Sequence, residues 1–513
     1  MKRFLFISAL VCLISGTYAQ TAEDALRFSQ LYYQGTARSM ALGSSMSAMG
    51  GNFSTLSINP GGLGIFRSND FSMSLEAFSH KVDAEYNGNP TNASKTMFDL
   101  SNVGYIISNK IGRGGRGWKY WQLGFGMNRL NNYNGSSVIQ GLNYDSQTNP
   151  TSKIDVYYEQ VLDMLDAGFG FDQIHDYDPF YLGPAWENYL LDTLQDSQGN
   201  LLLESPVPYQ TDLEQYQLTN TKGSNNEFLI SAAGNFDDIL YIGATLGLPY
   251  LRYFRETTYE EYSLADTIDT FDYWGVYDEL KTTGWGVNLK LGAIIRPVDF
   301  LRIGLAFHTP TYYFSMKDTW RTYTYSSVLA LSTGNWYEGG YDSPQGEYKY
   351  KLTTPMRFIG SLAFVIKEIG FINAEYEYAG YSQAKFKASD YGFDAENNAI
   401  KNAFKGVHNI RVGTEWRLSR ISLRAGYAIY GSPYNNNLND GKRESYSGGI
   451  GYRGKNFEVD FAYVRSIMKE DYYLYSYSNT NLDPPVEIQS NAVKNTFTDQ
   501  NFVLTVRYFF KKK

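Results

Sequence analysis

Cysteine and histidine are almost missing from this chain of 513 residues: there is one cysteine, Cys12, and four histidines, His80, His175, His308 and His408. Past residue 19 no cysteine occurs, which excludes a disulfide framework. The histidines are scattered, with no His-Glu-x-x-His pair and no spacing suited to a metal, and they read as lumen or loop residues. No Gly-x-Ser-x-Gly elbow is present. After residue 19 no apolar run reaches the ~18 residues a membrane helix requires. A surplus of positive charge is absent too, the net charge being −8, which argues against a nucleic-acid partner. Neither cofactor, metal nor catalytic constellation is expected, and the chain does not read as an enzyme.

What is present begins with a leader. Lys2 and Arg3, the apolar run Phe4 to Ile14 and the small-x-small Thr17-Tyr18-Ala19 have the form of a secretory signal peptide, residues 1–19, cut after Ala19. Cys12 lies inside it between Val11 and Leu13, which is no lipidation context. Aromatic residues make up 16% of the chain, with 45 Tyr, while mean hydropathy is only −0.38. A barrel whose strands cross two membrane interfaces fits both values, because only alternate strand residues meet lipid. A Tyr-rich secreted β-protein fits them as well, so the strand pattern has to decide.

In "NFEVDFAYVRS", Asn456 to Ser466, Phe457, Val459, Phe461 and Tyr463 point one way and Glu458 and Asp460 the other. The same alternation recurs from Leu240 to Leu248, Trp285 to Leu291, Leu301 to His308, Ile410 to Trp416, Ile421 to Ile429 and Phe502 to Phe510. The links between strands alternate in length. Asn109–Gly117, Asn235–Asp238, Arg296–Phe300, Lys367–Ile369, Leu418–Arg420 and Arg453–Asn456 are short. Val82–Ser94, Asn132–Asn225, Glu260–Leu280, Ser326–Gly346, Gln383–Lys405, Gly431–Lys442 and Met468–Thr498 are long. Such sorting is expected of an all-β transmembrane antiparallel barrel of about 14 strands, with tight periplasmic turns, longer outer loops and both termini periplasmic. A sandwich has no reason to sort its loops so. The expected organisation is a signal peptide at 1–19, an N-terminal plug (hatch) in the lumen at 20–69 and a barrel at 70–513, with a long extracellular loop at 132–225. Phe457 then faces lipid and Glu458 the lumen. Arg411, Glu415, Arg424, Glu458, Asp460 and Arg507 share that inner face, and read as a salt-bridged lumen wall rather than acid–base machinery. "GRGGRG", Gly112 to Gly117, formally matches G-x-G-x-x-G, but an alternating strand follows it instead of a helix, so it reads as a basic turn.

Two stretches break the pattern. Residues 20–69 are rich in Gly, Ser and Ala and open with Thr21 and Asp24 at capping-box spacing. A barrel of about 14 strands is too wide to fill itself with side chains, and this segment suits a plug. In the long loop, "KIDVYYEQVLDMLDAGFGFDQI" sets Ile154, Tyr158, Val161, Leu162 and Leu165 at helical spacing. That helix either packs over the barrel mouth or offers a greasy landing site.

"GTARSMALGSSMSAMGGNFSTLSINPGGLG" resembles the plug of the FadL/TodX outer-membrane transport family. Gly35, Arg38, Ala41 and Gly43 match its Gly-x-x-Arg stretch, and Ser54, Thr55, Asn59, Pro60 and Gly62 match the run into Asn-Pro-Ala-Gly; Gly61 stands where the family usually has Ala. "LGFGMNRLNNYN", "LGLPYLRY", "IGLAFHTPTYY" and "VGTEWRLSRISLRAGYAIYGSPYN" look like strand-and-turn segments of its barrel, particularly of Bacteroidetes-type versions. The resemblance implies an outer-membrane transporter, embedded in lipid, that passively takes up hydrophobic small molecules such as long-chain fatty acids or aromatic hydrocarbons; the sequence leaves its oligomeric state open, a monomer being the expectation. By position, Val161, Leu162, Leu165 and Phe169 would form the landing surface. From there the ligand would pass to a pocket against the plug and leave sideways into the membrane. A receptor for haem or another flat ligand, and a structural barrel in a secretion or surface-attachment complex, are the competing readings.

Overall fold

The computed structural model describes residues 20–111, 116–143, 151–209, 211–264, 269–479 and 486–510. The expected signal peptide and most of the Gly112–Gly117 turn lie outside the described residues.

Fourteen antiparallel strands form one closed wall. In chain order, β1 is Asn69–Tyr86, β2 Asn89–Lys110, β3 Trp118–Asn132 continued by Gly135–Asn143, β4 Leu213–Phe236, β5 Leu240–Ser263 and β6 Phe271–Val298. β7 is Leu301–His308 continued by Tyr312–Ala330, β8 joins Asn335–Asp342, Gly346–Thr353 and Arg357–Ile366, and β9 is Gly370–Gly380 with Lys385–Lys387. β10 to β14 are Gly406–Leu418, Ile421–Tyr430, Arg443–Arg453, Phe457–Tyr472 and Val493–Phe510. β1 pairs with β14 from Asn69↔Phe510 to Glu85↔Lys494, which closes the barrel. Closure matters in lipid, where an unpaired strand edge has no water to bond.

The two faces sort as the alternation requires. Phe457 and Phe461 are exposed while Glu458 and Asp460 are buried; Phe502, Leu504, Val506, Tyr508 and Phe510 are exposed while Asn501 and Thr505 are buried. Aromatic contacts mark both edges of the outward apolar belt. Trp118 and Phe236 meet at 5.5 Å near the short-turn end, and Tyr250 and Trp285 at 4.7 Å near the other.

At the long-loop end the sequence places strand boundaries too early. Val82–Ser94 is not a loop, because β1 and β2 pair up to Tyr86↔Asn89 and turn at Asn87-Gly88, both with positive φ (49° and 79°). The loop expected at Asn132–Asn225 contracts to 144–212, and much of Glu260–Leu280, Ser326–Gly346 and Met468–Thr498 is strand. Length explains the discrepancy. The 28 residues of β6 run ~95 Å and stand ~70 Å tall at ordinary tilt, against an apolar band of ~25 Å. Above the band the outward face meets water, so the apolar alternation stops while the hydrogen-bond ladder continues.

Inside the wall, residues 20–68 fold as α1 (Ala22–Ser29), α2 (Ala37–Ala41) and two 3-10 turns, Phe53–Ser57 and Pro60–Ile65, and most of their side chains are buried. Thr21 and Asp24 make the expected capping box on α1. Loop 144–212 holds α3 (Lys153–Asp166), α4 (Ile174–Tyr177), α5 (Leu182–Glu187) and a small hairpin, and α6 (Asp394–Ala403) lies between β9 and β10.

Candidate functional site

The lumen beside the plug is crossed by ion pairs. Arg38 of α2 donates from Nε and Nη2 to the two carboxylate oxygens of Glu415 at 2.7 and 3.1 Å. Glu415 also accepts from Arg424 Nε at 2.8 Å, and Arg424 Nη1 reaches Asp460 at 2.6 Å. Arg507 bridges Asp70 at 2.7 Å and Glu458 at 3.4 Å. Arg411 holds Glu375 and Glu377, each at 2.8 Å, and Glu377 is shared with Arg357 at 2.6 Å. Lys290 pairs with Glu227. The six charged residues expected to line the lumen thus belong to this network, split between the Arg38–Glu415 side and the Arg411–Glu377 side. Glu375, Glu377, Arg357, Lys290 and Glu227 were missed, although Glu375 and Glu377 sit at alternate positions of an aromatic strand. A buried charge is tolerable only when paired and hydrogen-bonded, and these pairs make the lumen beside the plug polar.

The Asn-Pro-Gly-Gly motif presses the plug onto the wall. Asn59 caps the turn that follows by accepting from the Gly61 N–H at 3.0 Å, and its Nδ2 donates to the carbonyls of Ser47 (2.8 Å) and Ala293 (3.1 Å). A Cβ on Gly61 would lie 3.0 Å from the Ala293 backbone, so an alanine at this position would press on the wall. A Cβ on Gly62 would meet Thr55 Oγ1 at 2.7 Å. Gly35 has φ +143°, and its carbonyl accepts from Ser101 of β2 at 2.9 Å.

Residues 151–209 cap the mouth. Ile154, Val161 and Met164 of α3 pack with Ile174, Leu182 and Leu190 onto Trp274, Tyr259 and Val328 of the wall. Of the four residues expected to form a landing surface, Val161 is buried in this core, Leu162 and Leu165 are half-buried against it, and Phe169 is exposed, 5.3 Å from the Tyr177 ring. Below the cap a second apolar cluster surrounds α1. Phe28, Tyr133 and Tyr253 touch edge-on at 5.7 to 6.1 Å.

Tyr133 marks a break in the wall. It stands between the two segments of β3, and the β2–β3 ladder runs only from Lys110↔Tyr120 to Asn102↔Asn128. Above that point β2 still pairs with β1, past a bulge between Ser74 and Leu75, but not with β3. Side chains replace the ladder at the top: Asn87 and Asn89 donate to the carbonyls of Leu142 and Gln140 at 2.8 and 2.7 Å, and Lys95 Nζ donates to that of Thr221 at 2.8 Å. Lower down, Asp99 and Arg129 are joined at 2.8 Å. From inside, the plug lies along this seam. Tyr32 and Gln34 donate their N–H groups to Leu130 and Arg129 carbonyls at 3.0 and 3.1 Å, and Asn131 Nδ2 donates to the Gln30 carbonyl at 3.3 Å. Phe98, on the lipid face of the seam, is 83% exposed. One strand cannot announce such a feature, since the missing bonds belong to a pair; the only cue is the Asn-rich "NRLNNYNG" that interrupts the alternation of β3.

The histidines stay apart: His80 pairs with Asp499, His175 with Glu187, His308 with the Ile58 carbonyl and His408 with Tyr376.

The described residues thus form a closed, lipid-facing barrel with a stoppered lumen, an apolar cap and a seam in its wall. Its fold is shared by a FadL homologue and two toluene transporters. A FadL homologue of Pseudomonas aeruginosa superposes with a TM-score of 0.53 at 12% identity, covering 94% of this chain and 100% of that one. The toluene transporter TodX of P. putida gives 0.51 at 12% identity, and the toluene transporter TbuX of Ralstonia pickettii 0.50 at 16%, each with 94% and 100% coverage. No protein-family model and no curated protein matches the sequence.

Proposed function

We propose that this chain is a member of the FadL/TodX family that passively imports hydrophobic small molecules, long-chain fatty acids or aromatic hydrocarbons, across a Gram-negative outer membrane. The short turns and both termini then face the periplasm, and the cap faces outward. The observation that carries this reading is the seam. Beside the plug the lumen is crossed by buried ion pairs, whereas the apolar cluster around α1, with Phe28 and Tyr253, reaches Tyr133, where the wall lacks its ladder. An apolar solute gains roughly 25 cal/mol for each Å2 it removes from water, and a sideways exit into lipid keeps that gain where an aqueous pore would not. Phe169, with the exposed parts of Leu162 and Leu165, is the proposed landing site. The three superposed channels support the reading through their shared fold.

The test is saturable binding of a fluorescent long-chain fatty acid, and of toluene in competition, to the detergent-purified chain, together with uptake by cells producing it. Binding and uptake that both weaken in Leu162→Asp/Leu165→Asp support the reading. If neither class of ligand binds, it falls.

A further inference from the structure

We propose that removal of the leader after Ala19 turns the Gln20 nitrogen into an ammonium that seats on Asp318, a carboxylate buried on the lumen wall, and so anchors the plug. The cut is the one the sequence leads one to expect, and the anchor does not depend on what cargo the barrel carries. Asp318 of β7 is 2% exposed and stands two residues before Trp320, whose ring meets Phe180 of the cap at 5.3 Å. Its neighbour Lys317 pairs with Glu347 at 2.8 Å, and Lys281 on β6 is exposed, so this level lies above the apolar belt. Among the described residues the partners of Asp318 are all neutral. Gln20 Nε2 donates to it at 2.6 Å and Tyr350 Oη of β8 at 3.3 Å, and Thr282 of β6 stands opposite it in the ladder. The nearby cations are engaged elsewhere: Arg27 of α1 is held by Asp24 and lies over the Tyr253 ring, and Lys317 is held by Glu347. Asp24, the other carboxylate facing this site, adds repulsion. With neutral donors alone, burial pushes the Asp318 carboxyl up to about 7. A buried carboxylate without a cation is costly, and this one stands where the chain acquires a new positive end.

Gln20 is placed to supply that charge. Its side chain already touches the carboxylate, which leaves its backbone nitrogen within ~9 Å of the same oxygens. From Thr21 onward the chain is fixed, because the Thr21 N–H donates to Asp24 Oδ2 at 3.2 Å in the capping box of α1. Only Gln20 itself has to turn. In the uncut chain its nitrogen belongs to a neutral peptide. A signal peptidase adds water across the Ala19–Gln20 bond: Ala19 departs as a carboxylate on the leader, and the Gln20 nitrogen takes up a proton at neutral pH. The ammonium then donates to Asp318, and α1, whose Phe28 packs among Tyr133 and Tyr253, is tied to β7 at its first residues. Full seating of the plug is thereby made to wait on processing.

The experiment uses the full chain, exported and processed in cells and purified in detergent, with barrel folding confirmed for each variant by heat-sensitive gel mobility. Mass spectrometry of the tryptic peptide ending at Arg27 should show a terminus at Gln20 with a free amine. A terminus elsewhere, or an amine lost by ring closure onto the Gln20 amide, overturns the proposal. Short pulses of acetic anhydride across a pH series then label the folded protein, and the same peptide reports the labelled fraction. The midpoint of that profile reads the amine's hold on its proton, whereas burial changes only the rate. An unpaired α-amine titrates near about 7.7–8.0. The wild-type midpoint should lie about one unit or more above that, a tenfold tighter hold, and Asp318→Asn should bring it back. A Gly-Ser insertion between Gln20 and Thr21 keeps Asp318 and the processing site but moves the ammonium away, and should speed tryptic cleavage at Arg27 as much as Asp318→Asn does. A wild-type midpoint in the ordinary range, an equal midpoint in Asp318→Asn, or an insertion that leaves Arg27 as protected as in the wild type overturns the anchor.

Discussion

Arg38 of the plug and Glu415 of β10 face each other through two hydrogen bonds, 2.7 and 3.1 Å long, with both side chains buried. Removing Glu415 takes away the carboxylate that holds the Arg38 guanidinium inside the lumen, whereas removing Arg38 leaves Glu415 bonded to Arg424. Glu415→Leu should therefore cost ~3–5 kcal/mol, Arg38→Ala less, and the double variant Arg38→Met/Glu415→Leu less than Glu415→Leu alone, because Arg424 and Asp460 still satisfy each other. Urea titration of gel-mobility unfolding measures the first. Limited proteolysis of residues 20–68 shows whether the plug has detached, and an Arg38→Ala chain as resistant as the wild type would contradict its anchoring role.

The wall contributes its own fit to the plug. Gly243 of β5 faces the Pro60 carbonyl so closely that a Cβ would overlap it, and that atom is backbone. Gly243→Val should therefore push the turn Pro60–Ile65 off its seat and destabilise the barrel by ~1–3 kcal/mol. By contrast Gly88→Ala, where nothing lies within 4 Å, tests only backbone strain at φ +79° and should cost ~1 kcal/mol. Equal costs for the two variants would show that the plug yields at Pro60.

Much of this architecture is legible in the sequence, and the limit is physical. Strand faces such as Phe457/Glu458 are visible because lipid and lumen impose opposite chemistry on alternate residues. The plug motif is visible because Asn59 and the glycines after it do work that few side chains can. Strand ends at the long-loop side are hidden, since above the membrane the outward faces of β5 and β6 meet water and only their inner faces stay apolar under the cap, so the ladder defines them. The partition of the charged residues into two networks, and the Asp99–Arg129 contact, depend on register between strands, which no single strand encodes.

Separate roles on the cap can be told apart by pairing stability with binding. Val161 is fully buried among Ile154, Met164 and wall aromatics, so Val161→Ala should loosen the cap by ~2 kcal/mol, seen as faster proteolysis within 144–212. Phe169 is exposed, and Phe169→Ala should leave that protection unchanged while weakening fatty-acid binding. If Phe169→Ala binds like the wild type, the landing surface lies elsewhere on the cap.

The cap also carries a titratable group with a defined direction. The Lys153 ammonium sits 5.1 to 5.9 Å from the ring centres of Tyr259, Tyr157 and Tyr181 at the start of α3. Burial lowers its pKa from the ordinary lysine value, and Asp278 and Glu261 offset only part of that shift. The sign follows. In the window between the lowered value and the ordinary value near 10.4, the unfolded loop binds more protons than the folded one, so cap stability rises with pH. Below the lowered value both forms are protonated and the folded cap bears the full cost of the buried charge. Proteolysis of the cap should consequently slow as the pH rises toward ~10 in the wild type. Lys153→Met should flatten the part of that slope due to this group, and since it also forfeits the attraction of three tyrosine rings, the slope rather than the absolute rate is the decisive readout. A Lys153→Met cap with an unaltered slope would assign the pH response to other groups.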